Sequence, residues 1–362
     1  MELKPQDVAG DRAQDAIVGA LLGMAVGDAL GLPYEGLSRR RGGRLLGEPD
    51  RFRFLSGRGM ISDDTEHACM VAQALIASGD DVDLFSRELA GLLRGWLLGL
   101  PAGTGLATLK AAAKLCAGVS PDRSGLFSAG NGPAMRSPML GAAVTDRDLL
   151  RRLVKASTRI THTDPKAEYG SWAIALASRL ASGGTVVEPA AFRLELANSL
   201  AGEPAEELLQ RVDRARESSS QGQTTLAFAD SLGLQHGVSG YINNTVPVVL
   251  HAWFRHPRDL PAAVQAVIRC GGDADTTAAI VGGVVGCGVG KNGVPAAWRQ
   301  GLWEWPRTIA WMTQLAETLA DCRARRQTQI PPRLPLYRLL PRNLLFLGIV
   351  LGWGFRRLLP PY

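Results

Sequence analysis

The chain has 362 residues, 46% of them hydrophobic, enough to bury a large core as one big domain or two ordinary ones. Its formal charge of +6 is localised. From residue 323 onward there are eight arginines and no Asp or Glu, so the body carries 32 basic against 34 acidic residues, about −2. That distribution excludes a nucleic-acid groove across the body, so no nucleic-acid partner is expected. Five cysteines without CxxC spacing exclude zinc and disulfide frameworks and point to a reducing cytoplasm.

The polar, charged residues 1–15 carry no secretory signal. Residues 15–32 read as the first helix, with Gly19, Gly23, Gly27 and Gly31 on one face where a second helix backbone can approach. A membrane span is the weaker reading of this run, because Asp28 interrupts it and it is short. Leu32-Pro-Tyr-Glu-Gly36 then ends the helix in a loop bearing Glu35. Residues 39–60, rich in Arg and Gly, read as an irregular loop. Ser62 is placed to cap a helix reaching about Ser78, with Asp63 and Asp64 in its first turn.

Further helices are expected at 85–98, from the Ala102-Gly-Thr-Gly105 turn to Cys116, and at 146–157 and 167–181. A glycine-broken loop spans 124–138 and a polar turn spans 158–165. Helical spacing resumes over 192–217, a flexible link follows at 218–223, and apolar helices are expected at 241–254, 260–269 and 298–321. Period-2 runs are scarce, so the fold class is all-α.

The tail differs in kind. Pro331, Pro332, Pro335 and Pro341 argue against a continuous helix through its first part. Residues 344–355 are apolar but only about half the ~20 a span needs. Three placements stay open, in this order: packing on the body or a partner subunit, peripheral membrane contact with the arginines on anionic headgroups, and a true span. The expected organisation is a catalytic domain over 1–320 and a basic, Pro-rich, apolar tail over 321–362.

The chemistry concentrates in two acidic helix starts. Cys270-Gly-Gly-Asp-Ala-Asp-Thr-Thr277 leads into a charge-free run, 278–290, and Ser62-Asp-Asp-Thr65 leads into a second apolar-periodic helix. Either alone is explained by capping, where an Asp in the first turn gains about 0.3–1 kcal/mol from the macrodipole. Two such starts brought together would repel and lose hydration unless a cation sat between them. Carboxylates with neighbouring hydroxyls are the hard oxygen donors that Mg²⁺, Mn²⁺ or Ca²⁺ prefer.

Gly27-Asp-Ala-Leu-Gly31 with Glu35, Ser62-Asp-Asp-Thr65, Gly130-Asn-Gly-Pro-Ala-Met-Arg136, Thr161-His162 and Gly271-Gly-Asp-Ala-Asp-Thr276 occur in that order. Together, over about residues 17–305, they resemble the ADP-ribosylglycohydrolase family. The resemblance implies an all-α fold and two Mg²⁺ or Mn²⁺ ions at the base of an ADP-ribose cleft. The expected activity is cleavage of the ribose C1″ glycosidic bond of an ADP-ribosylated protein or a small ADP-ribosyl compound.

The resemblance also assigns residues. Ser62, Asp63 and Asp64 match the first metal motif, with Ser62 where the family usually has Thr, and Asp273, Asp275 and Thr276 match the second. Glu35 matches a glutamate near the scissile bond, and Glu35 or Asp64 is the implied general base. Gly103 and Gly105 match a diphosphate loop; Ser128, Gly130 and Asn131 match a phosphate and ribose loop; His162 matches a histidine lining the cleft. Gly103 stands about where some arginine-specific relatives carry an acid, which leaves O-linked and small ADP-ribosyl substrates open. Two other readings remain at this stage: a non-catalytic ADP-ribose binder or crystallin-like member, and another dimetal hydrolase such as a phosphoesterase.

Overall fold

The computed structural model describes residues 5–54 and 57–360. The described residues form α-helices, two short 3₁₀ turns and isolated bridges, with no extended strand, so the fold is all-α as expected. At its centre the N-terminal helix (Pro5–Gly31) lies antiparallel against the Ala274–Gly293 helix. The four-glycine face makes this pairing. A Cβ added at Gly23 would stand 2.1 Å from the Gly282 carbonyl oxygen, and one at Gly27 would stand 2.2 Å from that of Ala278. Removing the side chains lets the two backbones touch, and dispersion contacts along the seam replace interdigitated side chains.

Direction follows from the register. Gly19 sits over Gly286 and Gly31 over Ala274, so the end of the first helix, with Asp28 and the Glu35 loop, arrives beside Asp273 and Asp275. Segment Asp11–Tyr34 is long and apolar enough to cross a bilayer, but its most apolar window is wholly buried in the protein, as suits a core helix.

The Asp63–Ser78 helix packs at the same end and begins at Ser62, whose hydroxyl accepts the Asp64 N–H at 3.4 Å. Nearly every residue in it is buried, including Asp63, Asp64, Glu66 and His67. Several sequence expectations fail: the helical runs 192–217 and 298–321 are each broken into two helices, at 200–205 and 302–308, and two expected loops are ordered. Part of the 39–60 loop is a helix, Arg39–Leu46, capped by Ser38 and held by the Arg39 guanidinium, which bonds Asp230, the Cys270 carbonyl (2.9 Å) and the Leu234 carbonyl (2.8 Å). The 218–223 link is likewise ordered: Ser218 and Ser220 belong to the Glu206–Ser220 helix, and the Ser218 hydroxyl donates to Gln223 Oε1 at 2.8 Å.

After the Ile309–Arg325 helix the chain runs along the body, with the Gln329 N–H on the Ile76 carbonyl at 3.0 Å. It then enters a C-terminal helix, Leu336–Arg357. The prolines interfere less than the sequence suggests. Pro335 stands just before the first turn, and Pro341 in the second turn forfeits one backbone bond. One face of this helix packs on the body through Arg342, Asn343 and Phe346, while Leu351 and Phe355 on the other face are exposed.

Candidate active site

Glu35, Asp63, Gly103, Gly105, Ser128, Gly130, Asn131, His162, Asp273, Asp275 and Thr276 all line one cavity of about 420 Å³. Ser62 and Asp64 stand behind its floor, where the two acidic segments meet: the Thr276 hydroxyl donates to Asp64 Oδ2 at 3.2 Å, as does the Ser62 hydroxyl at 3.2 Å. A larger groove beside Trp305 and Trp311 contains no carboxylate.

Local conformation sets each segment. Gly271 and Gly272 adopt φ of +69° and +80°, a left-handed turn that side chains disfavour, and a Cβ on Gly272 would lie 2.1 Å from the Val238 oxygen. The turn is pinned on both sides. Gly36 N–H bonds the Gly272 carbonyl at 2.7 Å, and Asp273 N–H bonds the Val238 carbonyl at 2.8 Å. The first of these bonds fixes the Glu35 loop against the Asp273 turn.

Asp28 organises the other segment, a role the sequence reading did not give it. Fully buried, it accepts the Ser62 N–H (2.9 Å to Oδ2), the Thr65 N–H (3.2 Å) and the Thr65 hydroxyl (2.5 Å). Burial nevertheless pushes its carboxyl up to about 6. The sequence signal was a single acid inside an apolar glycine-ridged helix. Asn131 lines the cavity as expected and has a further contact: its amide donates to Asp273 Oδ2 at 2.6 Å and to Thr245 Oγ1 at 2.9 Å, so it holds Asp273 in place from the cavity wall.

Charge dominates the floor. Burial first, then Asp63, Asp28 and Asp273, hold Asp64 well above the usual carboxylate range. Burial, Glu35, Asp273 and Asp64 do the same to Asp275, and burial with Asp28, Glu66 and Glu35 does so to Asp63. Glu35, half-buried on the wall, is raised by burial and Asp273, while Arg357 pulls it back. Burial drives His162 down to about 3, so its imidazole is neutral, with Nδ1 2.9 Å from Thr161 Oγ1. Gly130 and Gly132 make room for that ring, since a Cβ on either would come within 3.0 and 3.1 Å of it.

The donor set suits a hard divalent cation. Among the described residues no three carboxylate, imidazole or thiol groups already form a cage. Yet Asp64 Oδ1 and Asp275 Oδ1 are buried with no hydrogen-bond partner. Orphaned anionic oxygens are costly, and a cation is the chemical species that satisfies them. Gly103, at φ +80°, and Gly105 open the far wall, with nothing within 4 Å of a Cβ on either, and Gly105 precedes the Leu106–Cys116 helix.

The family model for ADP-ribosylglycohydrolase matches residues 9–329. This chain belongs to the ADP-ribosylglycohydrolase family. It is 27% identical over 299 residues to the ADP-ribosyl-[dinitrogen reductase] glycohydrolase of Rhodospirillum rubrum, covering 80% of this chain and 90% of the relative. Against ADP-ribosylhydrolase ARH3 of Gallus gallus it is 26% identical over 339 residues, covering 78% and 87%. A solved ADP-ribosylglycohydrolase-related protein complex shares the fold with a TM-score of 0.67 and 27% identity, covering 86% of this chain and 99% of that one. As an ADP-ribosylglycohydrolase the chain is a glycosidic-bond hydrolase. The matched span ends before the C-terminal helix begins.

Proposed function

We propose that this ADP-ribosylglycohydrolase is cation-dependent and cleaves the ribose C1″ bond of O-linked ADP-ribosyl substrates. The observation that carries this reading is the meeting of Asp64 with Thr276 beneath a cavity bearing Asp63, Asp273, Asp275 and Glu35. Ser62, Asp63, Asp64, Asp273, Asp275 and Thr276 would hold a pair of Mg²⁺ or Mn²⁺ ions. Bound there, the cations supply positive charge against the carboxylates and acidify water.

The remaining residues have separable tasks. The Glu35 carboxyl, raised by burial and by Asp273, takes a proton from the water attacking C1″ and returns it to the departing oxygen as the C1″–O bond breaks through an oxocarbenium-like state. Asn131 keeps Asp273 oriented. The open glycines and the start of the Leu106–Cys116 helix offer backbone N–H groups to the diphosphate, an anion a helix N-terminus favours. Neutral His162 lines the cleft without adding charge. Gly103 leaves no acid on that wall to pair with a guanidinium leaving group, which supports O-linked over arginine-linked substrates.

The test is incubation with ADP-ribosyl-serine and ADP-ribosyl-arginine peptides, with Mg²⁺ or Mn²⁺ and with chelator. Free ADP-ribose is expected from the serine peptide at least tenfold faster, roughly the discrimination one missing polar contact gives, and none in chelator. Binding without product would make the chain a non-catalytic binder, and release of inorganic phosphate would make it a phosphoesterase.

A further inference from the structure

The C-terminal helix lies outside the family match, yet its packed face touches the approach to three of the segments that line the cavity. Behind the Asp63–Asp64 floor, Arg342 is 1% exposed and its Nη2 donates to the Ile61 carbonyl at 2.6 Å. The same guanidinium grips Glu304 at 2.7 and 2.8 Å, and Glu304 Oε2 accepts the Ile61 N–H at 3.2 Å. Both backbone groups of the residue preceding Ser62 are therefore held by one buried ion pair. Arg342 also reaches Glu66 Oε1 at 3.4 Å, which Arg307 bonds at 2.7 Å. Two acids and two guanidiniums balance in charge there.

At the glycine-loop wall, the Asn343 amide, also buried, donates to the Gly99 carbonyl at 2.7 Å, just before Ala102-Gly103. At the Glu35 wall, Trp353 Nε1 donates to the Pro33 carbonyl at 3.0 Å and Arg357 Nη2 reaches the same oxygen at 3.4 Å. Phe346 joins Leu32, Met60 and Ala102 in one small apolar cluster, each of them one to three residues from a cavity residue.

We propose that the C-terminal helix is a built-in clamp for the active site, with Arg342, Asn343 and Trp353 as positioning residues for the Ser62, Gly103 and Glu35 segments. A clamp of this kind acts on turnover more than on substrate binding. Hydrogen bonds behind a metal ligand change activity by roughly 10–100-fold without touching the substrate. The proposal rests on the assignment of Glu35 and Asp64 above, so its test includes a readout that needs no substrate.

Trp353→Phe keeps an aromatic side chain and deletes the indole N–H given to Pro33, and Arg342→Lys keeps the charge and deletes the guanidinium fork that grips Glu304 and reaches the Ile61 carbonyl. Trp353→Phe is expected to speed amide hydrogen exchange over residues 34–37, while kcat falls roughly tenfold and KM and the melting temperature hold. Arg342→Lys is expected to speed exchange over 61–65 and to weaken Mn²⁺ binding. Trp353→Phe remains a test should Arg342→Lys fail to fold. Unchanged exchange at 34–37 together with kcat within twofold in folded Trp353→Phe would overturn the clamp. If the wild type turns over no ADP-ribosyl substrate, the exchange data still judge the clamp, and the functional assignment alone fails.

Discussion

Asp275→Asn is expected to abolish turnover while making the cation-free protein more stable. The first half follows from losing a donor at the floor of the cavity, and a drop well beyond the roughly 10–100-fold of an outer-shell change is expected. The second half follows from what the floor costs without a cation. Asp63, Asp64 and Asp275 are buried together and held well above the usual carboxylate range by burial and by one another. Removing one charge from such a group relieves repulsion, and each kcal/mol gained raises the melting temperature by roughly 2–4 °C.

The same electrostatics give a pH dependence whose sign is fixed. A carboxyl whose pKa rises on folding binds more protons in the folded chain, so it favours the fold at low pH and disfavours it as pH climbs. For Asp28 the window runs from the ordinary 3.8 to about 6. Cation-free protein is therefore expected to melt lower at pH 7 than at pH 5, and added Mn²⁺ is expected to restore the loss. Thermal scans of wild type and Asp275→Asn, with chelator and with Mn²⁺, check both halves. A lower melting temperature for chelated Asp275→Asn would show that the buried charges are not what strains this site.

Gly23→Val is expected to prevent folding. Its Cβ would need space 2.1 Å from the Gly282 carbonyl oxygen, and the obstacle is backbone on both sides, so no rotamer change relieves it. Overpacking a core commonly costs about 1–3 kcal/mol, and a clash between two helix backbones is expected to exceed that. Gly348, inside the C-terminal helix with nothing within 4 Å, is the matched control. Gly348→Ala is expected to be neutral or to stabilise by up to about 1 kcal/mol, the helix-propensity difference. Urea denaturation of the two soluble fractions measures the contrast, and a Gly23→Val protein as stable as wild type would show that the two helices are not in backbone contact.

The sequence carried the site better than its supports. Four glycines at fourfold spacing mark a close-packing face whatever the partner, and Ser62 before Asp63 and Asp64 marks a capped helix start, because both signals are local. Spacing could not say that the ridge meets residues 274–286, so the convergence of Asp64 with Thr276 depended on motifs matched to a family. Asp28 reads as a charge that spoils a membrane span, and its function appears only when Ser62 and Thr65 are brought to it from 34 and 37 residues away. The Arg39–Leu46 helix has two glycines and no apolar stripe, so its stability comes from a cap and a tertiary ion pair. Arg342 is the extreme case. It reads as one more basic residue in a tail, and its partner Glu66 lies 276 residues earlier.

Mn²⁺ titration by calorimetry, at pH 6.5 in two buffers of different ionisation enthalpy, tests the joint cation site most directly. The wild-type chain is expected to bind Mn²⁺ and to release protons as the raised carboxyls ionise, so the apparent enthalpy differs between buffers. Asp64→Asn and Asp275→Asn, one from each acidic segment, are each expected to remove that binding while remaining folded. Undiminished Mn²⁺ binding in either variant, or none in the wild type, would contradict a cation held jointly by the two segments.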